Sequence, residues 1–207
     1  DEPGGDEPGG DEPGGDEPGG DEPGGDEPGG DDPVVPSTPE EKMRAFVERM
    51  YTVAFGREAD TEGCDFWAGL LQSGVQDGAG IAKGFIICDE FVNKGYDDTE
   101  FVEVLYATFF DRVAPAEDVA FWVNTLDVGF SREYVTSCFV NSQEFFDLCA
   151  SFEISRGMMN EDGSVINPGI FRFSERLYVK ILERSGEKEG MEFWAADIAR
   201  GAVSPID

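Results

Sequence analysis

An all-α array of tandem helical repeat units is the fold class this chain predicts, on three observations. A seven-residue constellation recurs three times without a gap. Helix-capping residues and glycine stops punctuate the copies at matching places. No period-two run of β-branched residues competes with the helical spacing.

The copies begin at Phe46, Phe101 and Phe173. The matched sets are Glu48/Glu103/Glu175, Tyr51/Tyr106/Tyr178, Arg57/Arg112/Arg184, Phe66/Phe121/Phe193, Trp67/Trp122/Trp194 and Gly74/Gly129/Gly201. The first two copies lie 55 residues apart and the last two 72, so residues 154–169 read as an inserted loop. The expected organisation is a tether over 1–36, unit one over 37–98, unit two over 99–153, the loop, and a truncated unit three over 170–207.

In unit one, Thr38, Pro39 and Glu41 form an N-cap, a first-turn proline and a capping-box glutamate. Met43, Phe46, Val47, Met50, Tyr51, Ala54 and Phe55 follow at helical spacing, predicting one helix of about seventeen residues that stops at Gly56. Asp60 caps a second helix bearing Phe66, Trp67, Leu70 and Leu71, which Gly74 ends, and a third segment spans Ile81 to Asn93. Unit two repeats the plan over 99–111 and 115–128, with Ser131 and Ser142 capping two short helices. Unit three starts from about Pro168, carries its second helix to Gly201 and ends at Ser204-Pro205, a cap and first-turn proline with no helix after them. Its apolar face is expected to rest on unit two or on sequence beyond Asp207.

The first thirty residues are six copies of Asp-Glu-Pro-Gly-Gly, with no apolar side chain to offset the entropy of ordering. The expectation is a disordered tether with a reach between roughly 30 Å as a coil and roughly 90 Å if extended. The net charge is −30, and the chain without its first 32 residues still carries about −16. That balance repels phosphate backbones and anionic bilayers, which argues against nucleic acid or a membrane surface as partner. No apolar run approaches the length of a membrane helix, and a start at Asp1 rather than Met is expected for a processed or excised piece.

Cys64, Cys88, Cys138 and Cys149 form no C-x-x-C pair, and the chain has no histidine. A Cys/His metal cluster is therefore not expected, nor is a Ser-His-Asp or Cys-His couple. Cys138 and Cys149 are too far apart to bridge along one continuous helix; a Cys64–Cys88 disulfide is sterically open, but buried free thiols are the expected state. No cofactor is expected, and the chain reads as non-catalytic.

Phe46-Val-Glu-Arg-Met-Tyr51, then Phe55-Gly-Arg-Glu-Ala-Asp60, Gly63, Phe66-Trp67 and Leu70 to Gly74 resemble the bacterial domain-of-unknown-function family 4214. Ser142-Gln-Glu-Phe145 completes the pattern in unit two and Asp89-Glu-Phe91 does so less fully in unit one, whereas unit two departs at Asp111 and Ala114-Pro115. The resemblance covers 42–153 as two copies and 171–207 in part. It implies an accessory module of large secreted or surface-attached bacterial proteins, hence an extracellular or cell-surface location. The partners implied are other domains of a parent chain or a surface polymer.

Each motif has a plain reading beside a functional one. Trp67, Trp122 and Trp194 could stack on sugars, but recurrence beside a phenylalanine at one place in every unit is how a packing residue behaves. Arg57, Arg112 and Arg184 follow the first helix of each unit and are expected to pair with a carboxylate from a neighbouring helix. Gly78-x-Gly80-x-x-x-Gly84 lacks the preceding strand that a dinucleotide site needs. Asn160, Asp162 and Ser164, with Glu161 near, resemble a calcium loop but lack its spaced acids and terminal glutamate, so a solvated turn is expected. With Tyr51, Tyr106 and Tyr178, the recurrent Arg and Trp form a skeleton. The leading expectation is a non-catalytic spacer or interaction module; the alternative is a glycan-binding adhesin using the non-recurrent Tyr96, Phe130 and Tyr134. Function is to be sought where the copies differ.

Overall fold

The computed structural model describes residues 36–181 and 188–201. The acidic tract through residue 35, the Tyr178 side chain, Arg184 and Ser204-Pro205 lie outside the described residues.

Ten α-helices carry the described chain, and no strand is longer than an isolated bridge between Met159 and Val165. Unit one is α1 (Pro39–Met50), α2 (Thr61–Ser73), α3 (Gly78–Ile86) and α4 (Asp89–Val92). Unit two is α5 (Asp98–Phe110), α6 (Ala116–Asp127), α7 (Arg132–Val140) and α8 (Gln143–Ser151). Then come α9 (Pro168–Ile181) and α10 (Lys188–Ala199).

The expected caps form. Thr38 and Glu41 close a reciprocal capping box, and Asp60, Ser131 and Ser142 each accept a backbone N–H from the third helical residue. Gly74, Gly129 and Gly201 take positive φ at 68°, 105° and 70°. A left-handed residue there lets the chain leave a helix while the last carbonyls stay bonded.

Two expectations about the helices need correction. The seventeen-residue first helix is α only to Met50; Tyr51–Phe55 winds as a π turn before Gly56 at φ 64°. The Thr52 hydroxyl donates to the Glu48 carbonyl at 3.0 Å, competing for the acceptor that an α-helical Thr52 amide would use. The segment from Ile81 to Asn93 is two helices, broken at Ile87-Cys88. The same break falls at Asn141-Ser142, so Cys138 and Cys149 are not on one continuous helix. All four cysteines are free, Cys64 and Cys149 buried, Cys88 and Cys138 half-buried.

Units one and two do not pack as separate beads. Phe46 of α1 lies 6.5 Å, ring centre to ring centre, from Phe145 of α8, and Phe91 of α4 lies 6.3 Å from Phe101 of α5. One apolar core runs through both units, from Phe46 and Met50 through Phe85 and Leu105 to Phe139 and Cys149. Arg49 adds a polar tie: its guanidinium caps the carbonyls of Ala107 and Thr108 at the end of α5 and pairs with Asp111 at 3.1 Å. Asp111 stands at φ 53°, where unit one has Gly56. The departure from the repeat at Asp111 is thus an inter-unit contact, a carboxylate held against a cation from the neighbouring copy.

Unit three keeps a small core of Phe171, Met191 and Ala195, against which Phe146 of α8 and Met158 of the loop pack. Its apolar face rests on unit two, as expected, and also on the loop.

Candidate functional site

The recurrent residues build the same clamp twice. Arg57 forks onto both oxygens of Glu90 at 2.7 and 3.0 Å, and Arg112 onto both oxygens of Glu144 at 2.7 and 2.9 Å. Each guanidinium lies over the recurrent tyrosine, 4.7 Å from the Tyr51 centroid and 4.8 Å from that of Tyr106. The arginine holds Glu90 and Glu144 below the usual carboxylate range by hydrogen bonding. The expected ion pair is present, and its partner is the glutamate one residue before Phe91 or Phe145. Glu48 and Glu103, the recurrent acids nine residues before each arginine, are exposed.

The tryptophans divide. Trp67 packs 5.5 Å from Phe85 and Trp122 5.2 Å from Phe139, each half-buried against the core. Trp194 is 40% exposed, because no helix equivalent to α3 or α7 covers it among the described residues, which corrects the core reading for the third copy. Phe66, Phe121 and Phe193 are 59%, 62% and 58% exposed, outside the core and touching the neighbouring tryptophan edge-on. Adjacent helical positions diverge by about 100° around the axis, so in α2 Trp67 shares the inward side with Cys64, Ala68 and Leu71 while Phe66 faces out.

The glycan candidates are not brought together. Phe130 and Tyr134 form a ring pair 4.5 Å apart, but the Tyr96 ring packs on Phe91 at 5.4 Å. Phe130 precedes the Ser131 cap and Tyr134 donates its amide to that cap, so the pair braces the first turn of α7 much as a hydrophobic staple does. Asn160, Asp162 and Ser164 satisfy one another: Asn160 donates to the Ser164 hydroxyl, and Ser164 donates amide and hydroxyl to Asp162. No group of three or more acidic or thiol side chains suited to a metal occurs among the described residues.

The inserted loop is tightly held. Asn141 clasps Met159 through both amide atoms, at 2.7 and 3.1 Å, and Met159 and Ile166 are buried. At its start, the Ser155 and Arg156 carbonyls accept the Gly78 and Ala79 amides that open α3. Beneath lies a buried polar cluster. Asp77, 1% exposed, caps α3 through one oxygen while the other has no hydrogen-bond partner. Gly157, at φ 74°, lies so close to that carboxylate that any side chain would collide with it. Burial pushes Asp77 up to about 7 and raises Glu175, which accepts from the Ser155 hydroxyl at 2.8 Å. Arg156, fully buried, pairs with Glu192 at 2.6 Å, and burial also pushes the neighbouring Cys149 thiol up.

Two copy-specific features, the inserted loop and the glycines of α3, meet at one place. A cleft of about 560 Å³ opens between α2, α3 and the loop, lined by Trp67, Gln76, Gly80, Lys83, Gly84 and Ile87 and by Ser164 and Val165 from the loop. Aligning α3 with α7 on their caps, Asp77 and Ser131, sets Gln76, Gly80 and Gly84 opposite Phe130, Tyr134 and Cys138. Unit one carries a glutamine and two glycines where unit two carries two rings and a thiol. The sequence did show the signal, as the Gly80-x-x-x-Gly84 spacing set aside for want of a strand. Only packing shows that it lines a cleft, under Gln76 and Trp67.

No curated protein and no solved structure matches this chain. The model for a domain of unknown function, DUF4214, matches it twice, over residues 38–94 and 82–149, so that α1 to α4 and most of α3 to α8 fall within the two matches, just over half the chain. With the twofold clamp and the shared glutamate-phenylalanine pairs of α4 and α8 in place, the chain belongs to the DUF4214 family.

Proposed function

We propose that this chain is a non-catalytic interaction module of a secreted or surface-attached bacterial protein, set on an acidic Pro/Gly spacer. Its contact site is the cleft between α2, α3 and the 154–169 loop. The observation that carries this reading is the division of labour among residues: the recurrent Tyr, Arg and partner Glu side chains are spent on internal contacts, and two features that differ between copies, the inserted loop and the glycines of α3, converge on one opening. The absence of histidine supports a binding role over acid–base or nucleophilic chemistry. The family resemblance supports the location, and the spacer's composition supports reach and raised effective concentration for a weak contact.

Retention of the full chain on isolated bacterial envelope material tests this. Wild type should be retained. A Gln76→Phe/Gly80→Tyr double variant, which installs unit two's own side chains in unit one, should lose at least tenfold; Phe121→Ser should not. Retention indifferent to the double variant, or none at all, would overturn the reading.

A further inference from the structure

We infer that the cleft is a subsite for one ring of an uncharged saccharide, seated against the Trp67 indole among Gln76, Lys83 and Ser164; the inference rests on the interaction-module reading above.

The cleft's dimensions set the scale. Its volume of about 560 Å³ is in the range of small-molecule sites and admits a sugar ring with its neighbours. The Gln76 amide lies where a Gly80 Cβ would stand and the Trp67 indole where a Gly84 Cβ would, so the two glycines let both groups settle directly on α3 as walls of the cleft. Trp67 is fixed from behind by Phe85 and from the side by Phe66, so its indole is a preset aromatic wall.

The polar groups select the ligand's chemistry. The Gln76 and Lys83 side chains make no hydrogen bond or ion pair among the described residues, and with the Ser164 hydroxyl they offer donors and acceptors to a polyhydroxylated ring. Lys83 disfavours a cation in the cleft. A polyanion is opposed by the chain's net charge of −30 and by Asp162, which lies near enough to feel the Lys83 charge. An extended apolar peptide would leave these polar groups unpaired. An uncharged ring with one face of C–H groups and an edge of hydroxyls satisfies each wall at once.

The test is titration of the full chain with uncharged gluco-, manno- and N-acetylglucosamine oligosaccharides, a polyuronate of matched length and an aromatic peptide, followed by amide chemical shifts. At least one uncharged saccharide should shift Gly80, Lys83, Gly84 and Ser164, with a dissociation constant of about millimolar for a single ring. Gln76→Phe/Gly80→Tyr should weaken it tenfold or more with unchanged thermal unfolding, while Phe121→Ser, an exposed change outside the cleft, should alter it less than about threefold. Preference for the polyuronate or the peptide, shifts centred on Phe130 and Tyr134, or no shift with any uncharged saccharide would each overturn the inference. If the double variant still abolishes envelope retention while no saccharide binds, the module reading stands and this inference alone falls.

Discussion

Arg57 and Glu90 meet through two parallel N–H···O bonds across a gap of 33 residues, with the guanidinium held over Tyr51. The contact locks α4 to the turn after α1, and Arg112 and Glu144 repeat it in unit two. Both partners are about two-fifths exposed, so solvent screens the pair. A double-mutant cycle of Arg57→Ala and Glu90→Ala should give a coupling of about 0.5–1 kcal/mol. Arg57→Lys should recover little of it, because an ammonium neither forks nor stacks. Equal stability of the lysine variant and wild type in urea would refute this account.

The shared core makes a prediction about modularity. Phe145 of α8 is fully buried and its ring lies 4.9 Å from Phe109 as well as near Phe46 of unit one. Phe145→Ala should cost about 3–5 kcal/mol and lower the whole transition as one step. Residues 37–97 alone should not fold cooperatively. Two separable transitions in calorimetry would show that the units are independent after all.

Two glycines four residues apart should respond oppositely to the same change. A Cβ on Gly84 would strike the Trp67 ring, which Phe85 holds in place, so Gly84→Ala should destabilise by about 1–3 kcal/mol. A Cβ on Gly80 would meet only the mobile end of Gln76, so Gly80→Ala should be neutral or gain up to about 1 kcal/mol from helix propensity. Thermal melts of the two variants read the contrast directly.

Asp77 should set a pH dependence. Its folded pKa, pushed up to about 7 by burial, exceeds its unfolded value, so the folded state binds the extra proton between roughly pH 4 and 7. Stability from this group is full below the unfolded pKa and is lost as pH rises toward 7, on the order of 4 kcal/mol in all. Glu175 acts in the same direction, while Glu90 and Glu144, held low by arginine, act oppositely and only as pH falls below about 4.5. Asp77→Asn keeps the acceptor that caps α3 and should flatten the slope from pH 5 to 8. Parallel slopes for variant and wild type would remove Asp77 from the account.

What was legible in the residues follows from local physics. Caps at Thr38, Asp60, Ser131 and Ser142 and stops at Gly74, Gly129 and Gly201 depend on backbone bonds within a few residues, so helix class, repeat period and the ends of most helices could be read directly. The partner of Arg57 was not legible, since nothing local distinguishes Glu90 from the recurrent Glu48; only the return of α4 past the end of α1 does. For the same reason Phe66 and Trp67, alike in sequence, part company in space.

The sequence by itself determined an all-α repeat with its skeleton of Tyr51, Arg57 and Trp67 and their counterparts. Tertiary structure alone decided that two copies share one core, that Asp111 answers Arg49, and that Gly80, Gly84 and the 154–169 loop face each other across one cleft. Helix propensity and capping are set by neighbours in the chain, whereas burial and pocket shape depend on contacts between segments tens of residues apart, which no local pattern encodes.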